Sequence, residues 1–262
     1  LERLLREFRY IGPIREMPPR NFSPNFTENV GDWASGIAAW SKLYADDLGL
    51  VDTVSEWLGQ DGLGTGYVLE KELFRELPLD SKLSLALQSD SAFDEIENTS
   101  TEIAKYQIRK RLYIKDEKTG LKMLPHDIGV GISQVVPIVV AAESTIMGLI
   151  AMEQPELHLH PAVQAELGDL MIVSMNGHGN TLLIETHSEH LILRILRRVR
   201  EAREGEAQYP AAEDLGPAHI SLVYVDSSQA GTFFLQIPIT AEGDLENNVS
   251  GGFFAERAKE LF

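Results

Sequence analysis

Apolar and polar positions change their rhythm at Pro125. Before it, residues 1–33 read as irregular after a short amphipathic start, because Pro13, Pro18, Pro19 and Pro24 interrupt any regular element. Residues 34–60 carry Ile37, Trp40, Leu43 and Leu48 at roughly helical spacing. "DGLGTG" is a turn. Residues 67–78 and 104–115 alternate as half-buried strands do, and "KDEKTG" closes a hairpin into "LKML". The acidic stretch from Ser89 to Thr101 reads as a loop or weak helix.

Beyond Pro125 the apolar runs lengthen and take turns with helical patterns. "ISQVVPIVVAAEST" predicts a helix with Pro137 near its start. "IMGLIAM" is a continuous apolar run, the mark of a strand covered on both faces. "PAVQAELGDLMIVSMN" predicts an amphipathic helix with Pro161 at its first position, where the missing N–H costs nothing. "TLLIE" predicts a second buried strand. "HSEHLILRILRRVREAR" predicts a longer helix, with Thr186 and Glu189 spaced as a capping box. Strand, helix, strand, helix in this order predicts an α/β fold with parallel strands. "HISLVYVD" and "TFFLQIPI" predict an antiparallel pair, and "GFFAERAKELF" a terminal helix. The change at Pro125 divides the chain into a connecting segment with a helical and β-hairpin insertion lobe (1–125) and a second lobe (126–262).

Composition narrows the classes. The chain has no cysteine, which excludes a disulfide scaffold and thiolate chemistry and fits a reducing cytoplasm. No apolar run reaches the roughly 20 residues of a membrane span, and no signal peptide is visible. The chain opens on Leu1 in sequence that resembles the middle of a protein, so it reads as a fragment or a processed chain. A net charge of −17 disfavours nucleic acid and anionic membrane as general partners. Two local basic clusters stand against it, "RILRRVREAR" (Arg194, Arg197, Arg198, Arg200, Arg203) and "RKRLYIK" (Arg109, Lys110, Arg111, Lys115). They read as solvated faces balancing nearby acids more readily than as a DNA track.

The candidate chemistry lies where the two buried strands end. Ligands of open parallel sheets sit beyond the carboxyl ends of the strands. "MEQPE" and "ETHSEH" therefore bring Glu153, Gln154, Glu156, Glu185, Thr186 and His187 to one crevice, with His158 and His160 further along the loop. One reading is a transition-metal site in a metal-dependent hydrolase, using His158, His160 and His187, with His190 spaced after His187. Against it, His160 precedes Pro161 and is placed to cap a helix. The other reading is a nucleotide site. An apolar strand ending in a carboxylate is the Walker B arrangement, which holds Mg²⁺ while the next polar residue orients the attacking water.

The pair "GLIAMEQPELHLHP" and "TLLIETHSEHLILRI" resembles the C-terminal half of ABC-type ATPases in the RecF-like, SMC-like and OLD-type branch, most of all the prokaryotic AAA-domain ATPases. "FRYIGPIREMPPR", "HDIGVGISQVVPIVV" and "GGFFAER" resemble further segments of that group. The resemblance implies a P-loop NTPase core, ATP and Mg²⁺ as cofactors, and a homodimer that sandwiches ATP. It implies Glu153 at the metal, Gln154 where a catalytic glutamate usually stands, and His187 as the switch histidine. Gly129, Gly131 and Ser133 fall in the signature segment that faces the partner subunit's nucleotide, where exposed N–H groups at a helix start suit an anion. The family's work on DNA, in repair or in defence against phage, implies nucleic acid or an effector protein as a further partner. Two departures count. Gln154 orients water but accepts no proton, which leaves Glu156 either as the base or as a structural acid at the helix entrance. The motif G-x-x-x-x-G-K-[S/T] occurs nowhere, so an N-terminal P-loop lobe of the same protein is the expected partner, and this chain alone is expected to bind ATP poorly. A scaffold that keeps the ATPase shape without turnover stays open beside the enzyme.

Overall fold

The computed structural model describes residues 7–20, 22–24, 29–45, 49–88, 99–228 and 231–246. The expected terminal helix and the "GGFFAER" segment lie outside them, as does most of the acidic stretch; the part of it that is described, residues 99–101, opens helix α5 (Thr99–Ala104).

The framework is a parallel sheet of β1 (Phe8–Ile11), β5 (Leu149–Glu153) and β6 (Thr181–Glu185), in that order. Strand β1 was not legible in the sequence. Four residues just ahead of the first proline carry no periodicity of their own, and the strand exists because Phe8–Ile11 pairs in register with Leu149–Met152. Strand β5 starts at a close approach: a Cβ on Gly148 would lie 2.5 Å from the Glu7 carbonyl oxygen, so only glycine lets the chain in there. Its burial alternates, with Ile150 and Met152 sealed in the core and Leu149, Ala151 and Glu153 half-buried. Strand β6 departs from expectation. It is an edge strand among the described residues, and Thr181, Leu183 and Glu185 are exposed, Leu183 by 66%. Among the described residues, one face of the sheet packs into the core and the other is left half-buried at β5 and exposed at β6.

The covering layer centres on helix α6 (Val130–Ser144), in which every residue from Ser133 to Ala142 is buried. A helix apolar all round belongs in a core. Pro137 stands at its middle and not near its start, because Gly129 caps the helix and α6 begins two residues before the apolar pattern does. Packing on all sides holds the helix through the proline; Gly36, at φ 80°, leaves room for the Pro137 ring. Helices α1 (Val30–Ala34), α2 (Ile37–Ala45) and α3 (Leu50–Leu58) replace the single expected helix and pack on α6 or β1. The expected hairpin is a three-stranded antiparallel sheet of β2 (Tyr67–Arg75), β3 (Ile108–Asp116) and β4 (Lys122–Met123). Helix α4 (Lys82–Gln88) precedes α5 between its first two strands. Leu69, Leu112 and Ile114 join the same core as Val135, Ile150 and Leu167.

Helix α7 (Pro161–Ile172) starts at Pro161 as expected and runs into a π turn over Val173–Gly177. Helix α8 (Glu189–Glu204) is capped by Ser188, whose hydroxyl accepts from the Leu191 N–H at 3.1 Å. The expected capping box is displaced by two residues: the Thr186 hydroxyl accepts from the Ser188 N–H instead and turns the chain into the helix. Strands β7 (Leu222–Ser228) and β8 (Gly231–Ile237) form the expected antiparallel pair as a separate sheet. No helix among the described residues is long and apolar enough to cross a membrane.

Helices α7 and α8 are held by charge as well as apolar packing. Arg198 donates from Nε and Nη2 to the two oxygens of Asp169, each at 2.7 Å, and Arg194 adds a bond to Asp169 at 2.7 Å and a fork onto Glu166. Arg198 also bonds Glu201. Burial pushes the Glu201 carboxyl up, but hydrogen bonds from Arg198 and Arg197 outweigh it and hold the group below the usual range. A depressed folded-state pKa stabilises above the unfolded value, near about 4.3, and that share is lost as pH falls through the folded one. The thermal midpoint should therefore drop as pH is lowered below about 4.3, and more gently in Glu201→Gln than in the parent. Parallel acid slopes in a melting series would sink this assignment.

Candidate functional site

The carboxyl edge of the parallel sheet gathers most of the expected residues. Glu153 and Glu185 are the last residues of β5 and β6 and stand opposite each other in register. Register partners in a parallel pair project to the same side of the sheet, so the two carboxylates share one face. Tyr10, on β1, donates its hydroxyl to Glu153 Oε1 at 2.7 Å. That hydrogen bond first, then burial and the charges of Glu153 and Glu185, raise the tyrosine pKa.

Gln154 follows β5 in a left-handed conformation, φ 42°. Outside glycine this conformation is uncommon and needs support from its surroundings. Its N–H donates to the Glu185 carbonyl at 2.8 Å, which extends the strand pairing by one bond. Its side-chain amide reaches Glu185 Oε1 at 3.5 Å. His187 Nε2 stands 3.6 Å from the same oxygen, with its ring largely exposed. Gln154 and His187 thus converge on Glu185 beside Glu153.

Glu156 lies behind this group and is buried. Its Oε1 accepts from the His187 N–H at 2.6 Å, and Oε2 accepts no hydrogen bond from the described residues. Of the two roles open in the sequence, this geometry favours the structural one.

The signature-segment residues divide. Gly129 and Gly131 border an open cleft of about 460 Å³, lined also by Gln60, Gly64, His158 and His160. A Cβ on Gly131 would press on the His158 carbonyl oxygen at 3.1 Å, and Gly129 has open space. Gly129 has no side chain to cap α6, and among the described residues no side chain accepts from the N–H groups of its first turn. Ser133 differs. It is fully buried and its hydroxyl donates to the Val130 carbonyl at 2.8 Å, so it offers nothing to the cleft in this conformation.

The histidine-metal reading finds no support. Among the described residues no three His, Asp or Glu side chains form a group able to hold a metal ion. His160 Nδ1 accepts from the Ala162 N–H at 3.3 Å and caps α7, and His158 sits exposed at φ 65°. The Glu153–Glu185 pair is a different donor set. Two hard carboxylates suit Mg²⁺, which keeps several waters and substrate phosphates in its shell and needs no all-protein cage.

The basic clusters are partnered. On α8, Arg197 pairs with Glu201, Arg200 with Asp244 and Arg203 with Glu242, beside the buried pairs of Arg194 and Arg198. On the antiparallel sheet, Lys115 and Lys122 pair with Glu70, and Arg109 with Glu76. The α8 cluster balances neighbouring acids throughout; on the antiparallel sheet Arg111 instead lies over the Phe74 ring and Lys110 reaches the Ala45 carbonyl.

Three contributors were missed or underweighted in the sequence. Glu185 stood among the crevice residues without a role. Tyr10 and Arg15 lie in the "FRYIGPIREMPPR" segment but were given no role, since both reach the site only through the pairing of β1 with β5.

Residues 70–192 match the family model of the AAA ATPase domain. That span contains Gly129, Gly131, Ser133, Glu153, Gln154, Glu156 and His187. Among curated proteins none matches this chain. Among solved structures, the crystal structure of the SmcHead bound to the C-winged helix domain of ScpA is similar, at 7% identity and a TM-score of 0.40 over 80% of this chain. The match covers 47% of that chain, so the protein in hand spans about half the length of that structure. The likeness to the AAA ATPase domain family thus spans residues 70–192 of the 262.

Proposed function

We propose that the chain is the C-terminal part of an ATP-hydrolysing head of the ABC type, in which two heads sandwich nucleotide and hydrolysis reopens them. The observation that carries this reading is the convergence of Gln154 and His187 on Glu185 beside Glu153, at the carboxyl edge of a parallel sheet. Glu153, with Glu185, would hold Mg²⁺, which when bound supplies charge stabilisation to a transferring phosphoryl group. Tyr10 fixes the Glu153 carboxylate by its hydrogen bond. The Gln154 amide orients water, and His187 reaches toward the outermost phosphate. Gly129 and Gly131 present α6 to the partner subunit's nucleotide.

A P-loop lobe from the same protein would complete the site. The face of the parallel sheet that the described residues leave exposed at β6 supports this, since such sheets are ordinarily covered on both sides. In this reading residues 126–262 form the C-terminal ATPase lobe, and 1–125 supply the connecting segment and the insertion. The donor set favours a scaffold without turnover as the second reading: position 154 holds an amide, and Glu156 is buried with one carboxylate oxygen taken by the His187 N–H.

The test is ATP turnover by a polypeptide that joins this chain to its P-loop lobe, beside Glu153→Ala. Loss of a metal-holding carboxylate forfeits several kcal/mol of charge stabilisation, so turnover should fall by about 100-fold or more. ATP binding with no turnover in either protein would establish the scaffold. No binding in either would overturn the nucleotide site.

A further inference from the structure

Arg15 is 2% exposed, yet it makes no ion pair among the described residues. An arginine so placed needs its donors satisfied by something other than water. Its partners are backbone carbonyls drawn from separate parts of the candidate site. Nη2 donates to the Gln154 carbonyl at 2.7 Å and to that of Glu153 at 3.3 Å, and Nη1 donates to the Gln134 carbonyl, in α6, at 3.0 Å. Nε holds the Gly12 carbonyl at 3.1 Å, in the arginine's own segment. Gln134 answers in kind. Its side chain accepts from the Arg15 N–H at 3.0 Å and donates to the Arg15 carbonyl. Burial lowers the guanidinium pKa to about 10, opposed by the charge of Glu156, so the group stays cationic at neutral pH.

We propose that Arg15 is the positioning residue of this site. It ties the Glu153–Gln154 turn to the first half of α6, so that the metal-and-water side and the segment facing a partner subunit move as one body. The proposal rests on the reading of the site given above. The turn needs such a tie, because Gln154 is held left-handed and its carbonyl is the one Arg15 grips most closely. Nη1 also reaches the Pro155 carbonyl at 3.5 Å, and the next residue, Glu156, holds the His187 N–H through its Oε1. Signature segment, strand end and switch histidine are then joined by one guanidinium and one carboxylate. Only a planar fork with five donors spans these carbonyls; a lysine, with a single ammonium, reaches fewer of them.

The test has two readouts. The first is hydrogen exchange on the chain itself. In Arg15→Lys, amides of the 154–159 turn and of His187 should exchange at least about tenfold faster, since they depend on bonds this tie supports, while those of α8 keep parent rates. Arg15→Met should show the same pattern more strongly, and Arg15→Lys serves alone if Arg15→Met does not fold. The second is ATP turnover by the polypeptide joined to its P-loop lobe. There kcat should fall at least about tenfold in Arg15→Lys while the Kd for ATP changes less than about threefold, a split that general destabilisation does not produce. Exchange that is unchanged at 154–159 and 187, or that quickens equally in α8, overturns the proposal whether or not the parent hydrolyses ATP. Turnover unchanged by Arg15→Lys in an active parent also overturns it. An inactive parent whose Arg15 variants still loosen the turn selectively would defeat the enzyme reading and leave the positioning role supported.

Discussion

Gln154→Glu is expected to raise ATP turnover by about 100-fold in the polypeptide that includes the P-loop lobe, the low end of what a positioned general base contributes. The parent amide orients water but takes no proton, as glutamine does in small GTPases. A glutamate side chain would occupy the same space, with its carboxylate where the amide now stands, 3.5 Å from Glu185 Oε1 and close to Glu153. Like charges at that range disfavour ionisation and push the new carboxyl up from its ordinary value. A base with its pKa nearer neutrality is the better catalyst at neutral pH. The sign of the pH dependence follows: the base works ionised, so kcat should climb as pH rises through the elevated pKa and then level off. The substitution also costs stability, because it replaces an attraction to Glu185 by a repulsion. Turnover that stays flat while ATP binding is retained would remove Gln154 from the water side of the site and favour the scaffold.

The largest effect on stability is expected from Asp169→Ala, about 3–5 kcal/mol of destabilisation, the cost of leaving a buried charge without its partner. Asp169 is 1% exposed and accepts three bonds, two from Arg198 and one from Arg194. Its removal leaves the Arg198 guanidinium, itself 2% exposed, with Glu201 and the ring of Tyr209 as its remaining neighbours. The contact has no slack to absorb the loss. At Gly168, next in the chain, an added Cβ would lie 2.9 Å from Arg194 Cγ, so the two helices already meet closely. Domains are commonly stable by only about 5–15 kcal/mol, so the variant should shift the urea midpoint strongly. Asp169→Ala with Arg198→Met should be less destabilised than the sum of the two single changes, because the second removes the orphaned charge. Strict additivity in that cycle would show that Asp169 acts through packing alone.

The same network shows which part of the reading of the clustered arginines held: they meet acids, but Arg194 and Arg198 do so in the interior and not on a solvated face. Five arginines within ten residues of one helix, in a chain of net charge −17, must meet acids somewhere. That Arg198 would be among the largest fully buried side chains while Arg197 stays exposed depends on which side of α8 meets α7, and helix periodicity alone does not separate an apolar stripe from an arginine set into it.

Local chemistry decided a good deal of this protein. The alternation of β2 and β3, the proline start of α7 and the hairpin pair β7–β8 follow from period, turn residues and caps, which act within a few residues. The convergence of "MEQPE" and "ETHSEH" also followed, because two apolar runs separated by one helix make a parallel pair whose ends share an edge. Contacts between distant segments decided the rest. Strand β1 is a strand only beside β5, Tyr10 and Arg15 enter the site only through it, and β6 is an edge because no further strand flanks it among the described residues. Pro137 sits inside a helix because neighbours on every side outweigh its missing hydrogen bond. Glu156 turned inward and Ser133 bonded its own helix because buried oxygen atoms take the nearest donor or acceptor, which a one-dimensional pattern does not specify.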